Sequence, residues 1–457
     1  MSSILIKNGT IVNSENTFKS DLLIENGKII LIAQNIDNKA DKEINANDFY
    51  VFPGAIDPHV HMYLPTPAGY SADDFYIGTK AALIGGTTTI IDFVTPKKTE
   101  TLKKALNTRK KEAENSLIDF SFHVSPVKWD ENTEKEISEI VDEGINSFKV
   151  YMAYKEAIGL NDSDLYNVMK AVKKSGGILT VHAELGDEID ELRNSYASKG
   201  NIEPKYHMLS RPNKMEAGAV KKIIEFADEL NCPLYIVHVS AKESISYILK
   251  AQKKGQKVFA ETCPHYLLLN DSKYEGDFDN VAAYILSPPL RKKEDNEILW
   301  QSIVDEVITT VGTDHCPFNL EQKKHGISDF RKIPNGAGGV EHRLSLLYTY
   351  GVLANKISLN KFADIISTNA AKIFGLYPQK GKIAVGSDAD IVIWNPEKEN
   401  IISAKTHIQN TDLNIFDGVK TKGSVEYVIF KGEIAVENEK IVKHTKGEFL
   451  KREKFNF

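Results

Sequence analysis

Apolar and polar residues alternate along both ends of the chain. Near the N-terminus the alternation runs through residues 4–12 and 21–36, and each stretch contains an Asn-Gly pair. Residues 380–396 and 425–442 alternate in the same way around glycines. A period of two with Asn-Gly turns is typical of short antiparallel strands. We therefore expect the two ends to pair in one small β-sandwich.

The middle of the chain repeats another pattern, in which a short apolar run is followed by an amphipathic helical segment. Strands that alternate with helices favour a parallel sheet, and eight of them favour a barrel. The predicted fold class is therefore α/β, a (β/α)8 TIM-type barrel with a smaller β-sandwich domain built from both chain ends. The eight runs are residues 54–62, 87–94, 119–126, 145–153, 177–184, 233–240, 257–265 and 307–316.

The change of pattern predicts the domain boundaries. We expect residues 1–52 and 381–457 to form the two parts of the β-sandwich domain, with a tail at the end, and residues 53–380 to form the barrel. Residues 71–85 are predicted as a helix that begins at Ser71. Long barrel loops often carry substrate contacts. The two long connections predicted here are residues 187–232 and 266–308.

The tail, residues 444–457, mixes aromatic and charged side chains. A subunit contact and a loosely ordered terminus are both compatible with this composition.

Composition narrows the classes of function. The chain has 457 residues, a formal net charge of −6 and no long basic block, so we expect no nucleic-acid partner. No run approaches the ~20 apolar residues of a membrane span, and we expect no membrane association. Cys232, Cys263 and Cys316 lie far apart and form no CxxC motif. This cysteine usage fits a reducing compartment, and we expect a cytoplasmic protein.

Six ionisable residues fall late in the predicted strands. The carboxyl ends of barrel strands meet at one mouth, where catalytic groups are found. For each residue alone, a hydrogen-bonded buried polar group is the simpler interpretation. Together, imidazole nitrogens and a carboxylate are the ligands that suit zinc or a similar divalent ion. The six are His59 and His61 on the first strand, Lys149 on the fourth, His182 on the fifth, His238 on the sixth and Asp314 on the eighth.

Lys149 is the exception, because an ammonium group has only donors and repels a metal ion. It could simply form an ion pair with Asp314. A lysine buried beside cations, however, loses its proton readily. The neutral amine can then take up carbon dioxide to form a carbamate, which is a carboxylate able to bridge two metal ions.

The order of the motifs resembles that of the cyclic amidohydrolases, most closely the dihydropyrimidinases and hydantoinases, over nearly the whole chain. The motifs are DPHVH, GGTTTIIDF, SFKVYMAYK, TVHAE, IVHVS, SPPLR, VGTDHCPF, IPNG and KIAVGSDADIVI.

This resemblance implies a centre of two divalent metal ions, which we expect to be Zn²⁺. The positions that match His59, His61 and Asp314 hold one ion, and those that match His182 and His238 hold the other. By the same match, Lys149 is the N6-carboxylated bridge between the ions.

The resemblance also implies a small-molecule substrate, contacted at the positions of Tyr154, Ser287 and Asn335. The implied reaction is hydrolysis of a dihydropyrimidine such as dihydrouracil, or of a 5-substituted hydantoin, to an N-carbamoyl amino acid. A metal-bridging hydroxide attacks the ring carbonyl, Tyr154 stabilises the oxyanion and Asp314 transfers the proton. A homotetramer is implied as well.

The residues after His61 bear on the alternatives. Dihydroorotases resemble the pattern HxHxR, whose arginine grips a substrate carboxylate, but this chain has Tyr63 at that position. The loop of residues 63–70 is similar to the gate loops of hydantoinases, although its prolines equally suit ordinary loop stiffening. Allantoinase is the alternative enzyme.

A non-catalytic dihydropyrimidinase-like protein is disfavoured, because all six ligand positions are intact. Five further polar residues near strand ends are assigned no functional role: Asp92, His123, Glu261, Cys263 and His265.

Overall fold

The computed structural model describes residues 3–455, and its strands form a nine-stranded sheet, an eight-stranded sheet and a two-stranded hairpin. In chain order the strands are β1 (Ser3–Val12), β2 (Thr17–Glu25), β3 (Lys28–Ala33), β4 (Lys42–Asn45), β5 (Tyr50–Pro53), β6 (Ala55–Val60), β7 (Pro65–Thr66), β8 (Gly69–Tyr70), β9 (Thr87–Val94), β10 (Asp119–Val124), β11 (Ser147–Tyr151), β12 (Ile178–His182), β13 (Leu234–Ile236), β14 (Val258–Thr262), β15 (Thr310–Val311), β16 (Ile391–Ile401), β17 (Lys420–Phe430), β18 (Glu433–Glu437) and β19 (Lys440–Ile441).

The α-helices lie mainly between the strands of the eight-stranded sheet and after its last strand. They are α1 (Phe75–Ile84), α2 (Leu102–Glu112), α3 (Thr133–Asp142), α4 (Asp162–Ser175), α5 (Gly186–Ser198), α6 (Lys205–Leu209), α7 (Asn213–Leu230), α8 (Lys242–Lys253), α9 (Pro264–Leu268), α10 (Phe278–Val281), α11 (Lys293–Val304), α12 (Leu320–Lys323), α13 (Arg343–Leu347), α14 (Leu359–Ala363) and α15 (Asn369–Ile373).

The eight-stranded sheet is the predicted barrel. Its order is β15-β14-β13-β12-β11-β10-β9-β6, every neighbouring pair is parallel, and a bridge between Val60 and His315 joins the last strand to the first. Each of the eight predicted runs contains one of these strands. The (β/α)8 prediction is confirmed, and the carboxyl ends of the strands share one mouth.

The nine-stranded sheet unites the two chain ends, as the alternating pattern predicts. Strand β5 pairs with β1 on one side and with β16 on the other, so N-terminal and C-terminal strands are direct neighbours. The buried residues Ile4, Ile24, Ile391 and Ile393 belong to its own apolar core.

A buried lysine joins this sheet to the barrel. The ammonium group of Lys380 contacts Asp119 at 2.9 Å and Asp388 at 3.3 Å, and it also pairs with Asp390. Asp119 begins barrel strand β10, whereas Asp390 immediately precedes β16. The cation therefore cross-links two units whose own hydrogen-bonded sheets are separate.

Two local predictions are corrected. The first helix begins at Phe75 rather than Ser71, because the Asp74 side chain caps it by accepting a hydrogen bond from the Ile77 N–H at 2.8 Å. The connection 187–232 is largely helical, with α5, α6 and α7, and α11 occupies part of 266–308. Helix α7 contacts barrel strand β13, and α11 packs against α8 and α9, so neither segment is a loop throughout.

The tail packs along barrel strand β10. The Leu450 N–H donates to Phe120 O at 2.7 Å, and the Phe120 N–H donates to Glu448 O at 3.0 Å. The buried Arg452 guanidinium donates to the hydroxyls of Ser121 and Ser147 at 2.9 and 2.8 Å. Of the two alternatives for the tail, a loosely ordered terminus is wrong for residues 444–455, the subunit contact stays untested, and the last two residues lie outside the described part. Between residues 3 and 455, no helix has the length and apolar character needed to cross a bilayer.

Candidate metal centre

Strands β6 and β15 bring the first group of predicted ligands together. Oδ1 of Asp314 lies 3.1 Å from Nε2 of His59 and 3.1 Å from Nε2 of His61. One donor atom from each of the three residues lies within 4.8 Å of the others. The pair at i and i+2 shares a face, as the strand period predicts.

A second pair of imidazoles lies beside this group. His182, at the end of β12, and His238, just beyond β13, place Nδ1 and Nε2 2.9 Å apart. The His238 ring centroid lies 5.4 Å from that of His59. The four histidines thus form one continuous cluster at the mouth.

Lys149 lies on β11 and lines the same cavity as the histidines. Its side chain is 1% exposed, and its Nζ lies 4.8 and 5.2 Å from the ring centroids of Phe93 and Tyr151. Among residues 3–455 its ammonium has no hydrogen-bond acceptor or ion-pair partner. Burial lowers the pKa of Lys149 to about 8, which makes the neutral amine accessible near neutral pH.

Three residues of the site have a left-handed backbone conformation. The φ angles are 61° at Tyr154, 41° at His238 and 51° at Asp314. Such conformations are costly for residues other than glycine and cluster at functional sites. Here the strain turns side chains into the mouth directly after the strands end.

Two buried carboxylates, Glu261 and Glu184, contact and orient the imidazoles of His59 and His182. Oε1 of Glu261 lies 2.6 Å from Nδ1 of His59, and Oε2 of Glu184 lies 2.8 Å from Nε2 of His182. Arg211 in turn pairs with Glu184. Histidine ligands of metals usually bind such a carboxylate with their second nitrogen. Sequence reasoning missed both roles, although an acidic residue within the apolar run VFAET required a partner.

The protonation of the cluster follows from burial and charge. Burial lowers the pKa of His61 to about 4, and it also lowers the pKa values of His182 and His238. Although burial opposes it, the Glu261 and Asp314 carboxylates raise the pKa of His59 to about 9. His61, His182 and His238 are therefore neutral near pH 7, whereas His59 carries a proton that it would release on binding a metal ion.

These donors fit divalent metal ions. Nε2 of His59 is buried and has no hydrogen-bond partner in the described structure, and it faces the Asp314 carboxylate. Neutral imidazole and carboxylate are the required ligand forms. The residues His59, His61 and Asp314 could therefore hold one ion, and His182 and His238 present a second pair of nitrogens.

The three predicted substrate residues line a cavity of about 1050 Å³ above the cluster. The Tyr154 ring lies 5.5 Å from that of His182. The Asn335 side chain donates a hydrogen bond to the Ser287 hydroxyl at 3.1 Å, although the two residues are 48 positions apart. The cavity is far larger than a bare five- or six-membered ring, and the loop residues Leu64, Pro65 and Pro67 also line it.

Polar residues that were assigned no role make local contacts. Asp92 accepts hydrogen bonds from Nε of Arg109 at 2.9 Å and from the Met62 N–H at 2.7 Å. Nδ1 of His123 lies 2.6 Å from the Ser147 hydroxyl, and Nε2 lies 3.0 Å from Pro58 O. These bonds fix the first strand and its loop.

Fold and site together define a barrel with a candidate metal centre at the carboxyl ends of its strands, which is the architecture of metal-dependent hydrolases.

Comparisons with known proteins agree with this class. The model of the amidohydrolase family matches residues 50–435. The chain is 43% identical to a D-hydantoinase of Geobacillus stearothermophilus, over 99% of this chain and 97% of the relative. It is 41% identical to a dihydropyrimidinase of Dictyostelium discoideum, over 99% and 91% of the two chains.

The crystal structure of dihydropyrimidinase from Brevibacillus agri superposes with a TM-score of 0.98 and 40% identity, and covers 100% of both chains. The chain belongs to the amidohydrolase family, and within it to the group of D-hydantoinases and dihydropyrimidinases.

Proposed function

We propose that this enzyme opens a cyclic amide by hydrolysis, converting a dihydropyrimidine or a 5-monosubstituted hydantoin into an N-carbamoyl amino acid. The observation that carries the proposal is the convergence of His59, His61, His182, His238, Lys149 and Asp314 at one mouth, in a chain about 40% identical to hydantoinases and dihydropyrimidinases. Among 5-substituted hydantoins we propose the D-enantiomer as substrate, because relatives at 43% and 40% identity are named D-hydantoinases.

Two divalent ions, which we take to be Zn²⁺, are proposed to bind between these residues. When bound, such ions polarise a carbonyl and lower the pKa of water towards neutrality. His59, His61 and Asp314 would hold one ion, and His182 and His238 the other.

Lys149 is proposed to be carboxylated and to contribute to both ion sites. Its neutral amine attacks the carbon of CO2, an N–C bond forms and one proton leaves to solvent. The product is an anion, and two divalent ions bound beside it would offset the cost of burying its charge. The lowered pKa of about 8 supports this reaction.

The remaining roles belong to side chains that line the cavity. Asp314, whose pKa the His59 and His61 rings hold well below its usual range although burial opposes it, accepts the proton of the attacking water and passes it to the leaving ring nitrogen. Tyr154 donates a hydrogen bond to the developing oxyanion. Ser287 and Asn335 bind the amide edge of the ring.

Other activities are less well supported. Allantoinase is the alternative enzyme, but the relatives described above are named for hydantoins and dihydropyrimidines. A non-catalytic role would leave the buried Lys149 and the cluster of His59, His61 and Asp314 unexplained.

Assembly, compartment and domain boundaries complete the proposal. A homotetramer in the cytoplasm is proposed from the family resemblance, and three buried free cysteines are compatible with a reducing compartment. The units 1–52, 53–380 and 381–457 are proposed as the domain parts. Light scattering coupled to size exclusion tests the tetramer directly.

The test of function is a comparison of two rings. Metal-loaded protein, grown with ample carbon dioxide, is assayed with dihydrouracil and with a 5-substituted hydantoin at equal concentration. Ring opening of either supports the proposal, and the ratio of kcat/KM values identifies the preferred ring. If neither ring is opened by protein that holds two ions per chain, the proposal is wrong.

A further inference from the structure

A buried lysine that the proposed reaction does not use lies behind the substrate loops. Lys323 ends the short helix α12 and is 1% exposed. Its Nζ donates hydrogen bonds to three backbone carbonyls: Ile285 at 2.9 Å, Pro334 at 2.8 Å and Gly336 at 2.8 Å. Three carbonyl acceptors match the three N–H donors of an ammonium group.

These carbonyls belong to the two segments that carry Ser287 and Asn335. Pro334 and Gly336 flank Asn335 on both sides, so the orientation of its own peptide groups is set between two fixed neighbours. Ile285 lies two residues before Ser287, and its carbonyl also accepts from the Gly336 N–H at 3.0 Å. One ammonium group therefore holds the two loops in a single arrangement.

The same arrangement is tied to the metal centre. The Cys316 N–H donates to Ala337 O at 2.9 Å, and a Cβ atom at Gly336 would lie only 2.4 Å from Cys316 O. Cys316 follows the metal-ligand candidate Asp314 by two residues. The position of Asn335 relative to Asp314 is thus fixed by backbone contacts on one side and by Lys323 on the other.

Packing alone does not require a lysine here. Among residues 3–455 no carboxylate pairs with this ammonium, and the centroid of the Phe318 ring lies 5.5 Å from its Nζ. Burying an unpaired cation is costly unless its donors are satisfied. A methionine would fill a similar volume with no such cost, so the charged group is needed only for its three hydrogen bonds.

We infer that Lys323 is a positioning residue for substrate binding. Its hydrogen bonds hold Ser287 and Asn335 at the separation needed to bind the amide edge of the ring. The identity of the ligand rests on the proposed function, but the hydrogen bonds from Lys323 to the backbone of the two loops do not. Their loss weakens contacts made equally in the ground state and the transition state, which raises KM more than it lowers kcat.

The test compares Lys323→Met with Lys324→Met in the full-length, metal-loaded enzyme. Lys324 is the adjacent residue, whose side chain pairs with Glu321 on the surface. For Lys323→Met we expect an unchanged metal content, a KM at least about tenfold higher and a kcat changed less than about threefold. Lys324→Met should match the wild type. The KM of Lys323→Gln, which keeps two N–H donors, should lie between the KM values of Lys323→Met and Lys324→Met.

Hydrogen exchange separates this inference from the proposed function. The backbone amides of residues 285–287 and 335–337 should exchange faster in Lys323→Met and Lys323→Gln, even if the wild type opens neither ring. Unchanged exchange in those segments overturns the inference that Lys323 holds the two loops in place. A lower Tm with unchanged KM also overturns it, because it shows a role in stability alone.

Discussion

Oε1 of Glu261 lies 2.6 Å from Nδ1 of His59, across 202 positions of sequence. The same oxygen accepts a hydrogen bond from the His238 N–H at 3.1 Å, and the other accepts one from the Tyr235 hydroxyl at 2.9 Å. The Glu261 carboxylate therefore orients the imidazole of His59, at one proposed ion site, and the left-handed backbone of His238, at the other.

We expect Glu261→Gln to bind metal about 10- to 100-fold more weakly, because a neutral amide polarises the His59 ring less and holds it less firmly. Competition with a chelator measures the dissociation constants. Glu341→Gln, which changes a partly buried carboxyl away from the cluster, is the control. Equal affinities in the wild type and Glu261→Gln would exclude this orienting role.

Lys149→Ala should lose bound metal and ring-opening activity together. The substitution removes the amine that forms the proposed bridging carbamate, and it leaves two ion sites with neutral imidazoles and one carboxylate. Metal analysis and turnover are measured on the same preparation. In addition, gentle mass analysis of the wild type should show the added mass of one CO2, which the variant lacks. Retained turnover in Lys149→Ala would exclude the bridge.

Lys380→Met should lower the free energy of unfolding by about 3–5 kcal/mol, because it leaves the Asp390 carboxylate buried without its cation and leaves Asp119 paired with Lys431 alone. Urea titration measures the loss. KM for the cyclic substrate should stay within about twofold of wild type, since the residue lies at the joint between the two sheets. An unchanged stability would mean that the joint does not depend on this ion cluster.

Glu341→Gln should change how stability depends on pH. Burial raises the pKa of Glu341 from 4.5 to about 7. The folded state thus holds this proton more tightly than the unfolded state, and stability is lost as pH rises from about 4.5 through 7. The loss is on the order of 3 kcal/mol, and the glutamine variant should lack it. Unfolding at pH 5 and pH 8 in both proteins measures the difference. Parallel pH profiles would contradict the assignment.

The barrel and its six converging residues could be predicted because strand and helix periods are local. His59 and His61 share a face by the strand period alone, and each later ligand candidate follows an apolar run. The bonds from Glu261 to His59 and from Lys323 to Pro334 could not be predicted in this way. They join segments that meet only after the barrel closes, and no spacing in the sequence encodes the contact.

The most direct test of the central claim is a metal titration of ring opening. Apoprotein prepared with a chelator is supplied with Zn²⁺ and bicarbonate, and hydrolysis of dihydrouracil and of a 5-substituted hydantoin is followed against equivalents of metal. We predict no turnover without metal and a plateau at two ions per chain. Full activity of the apoprotein, or no ring opening at two bound ions, would contradict the account.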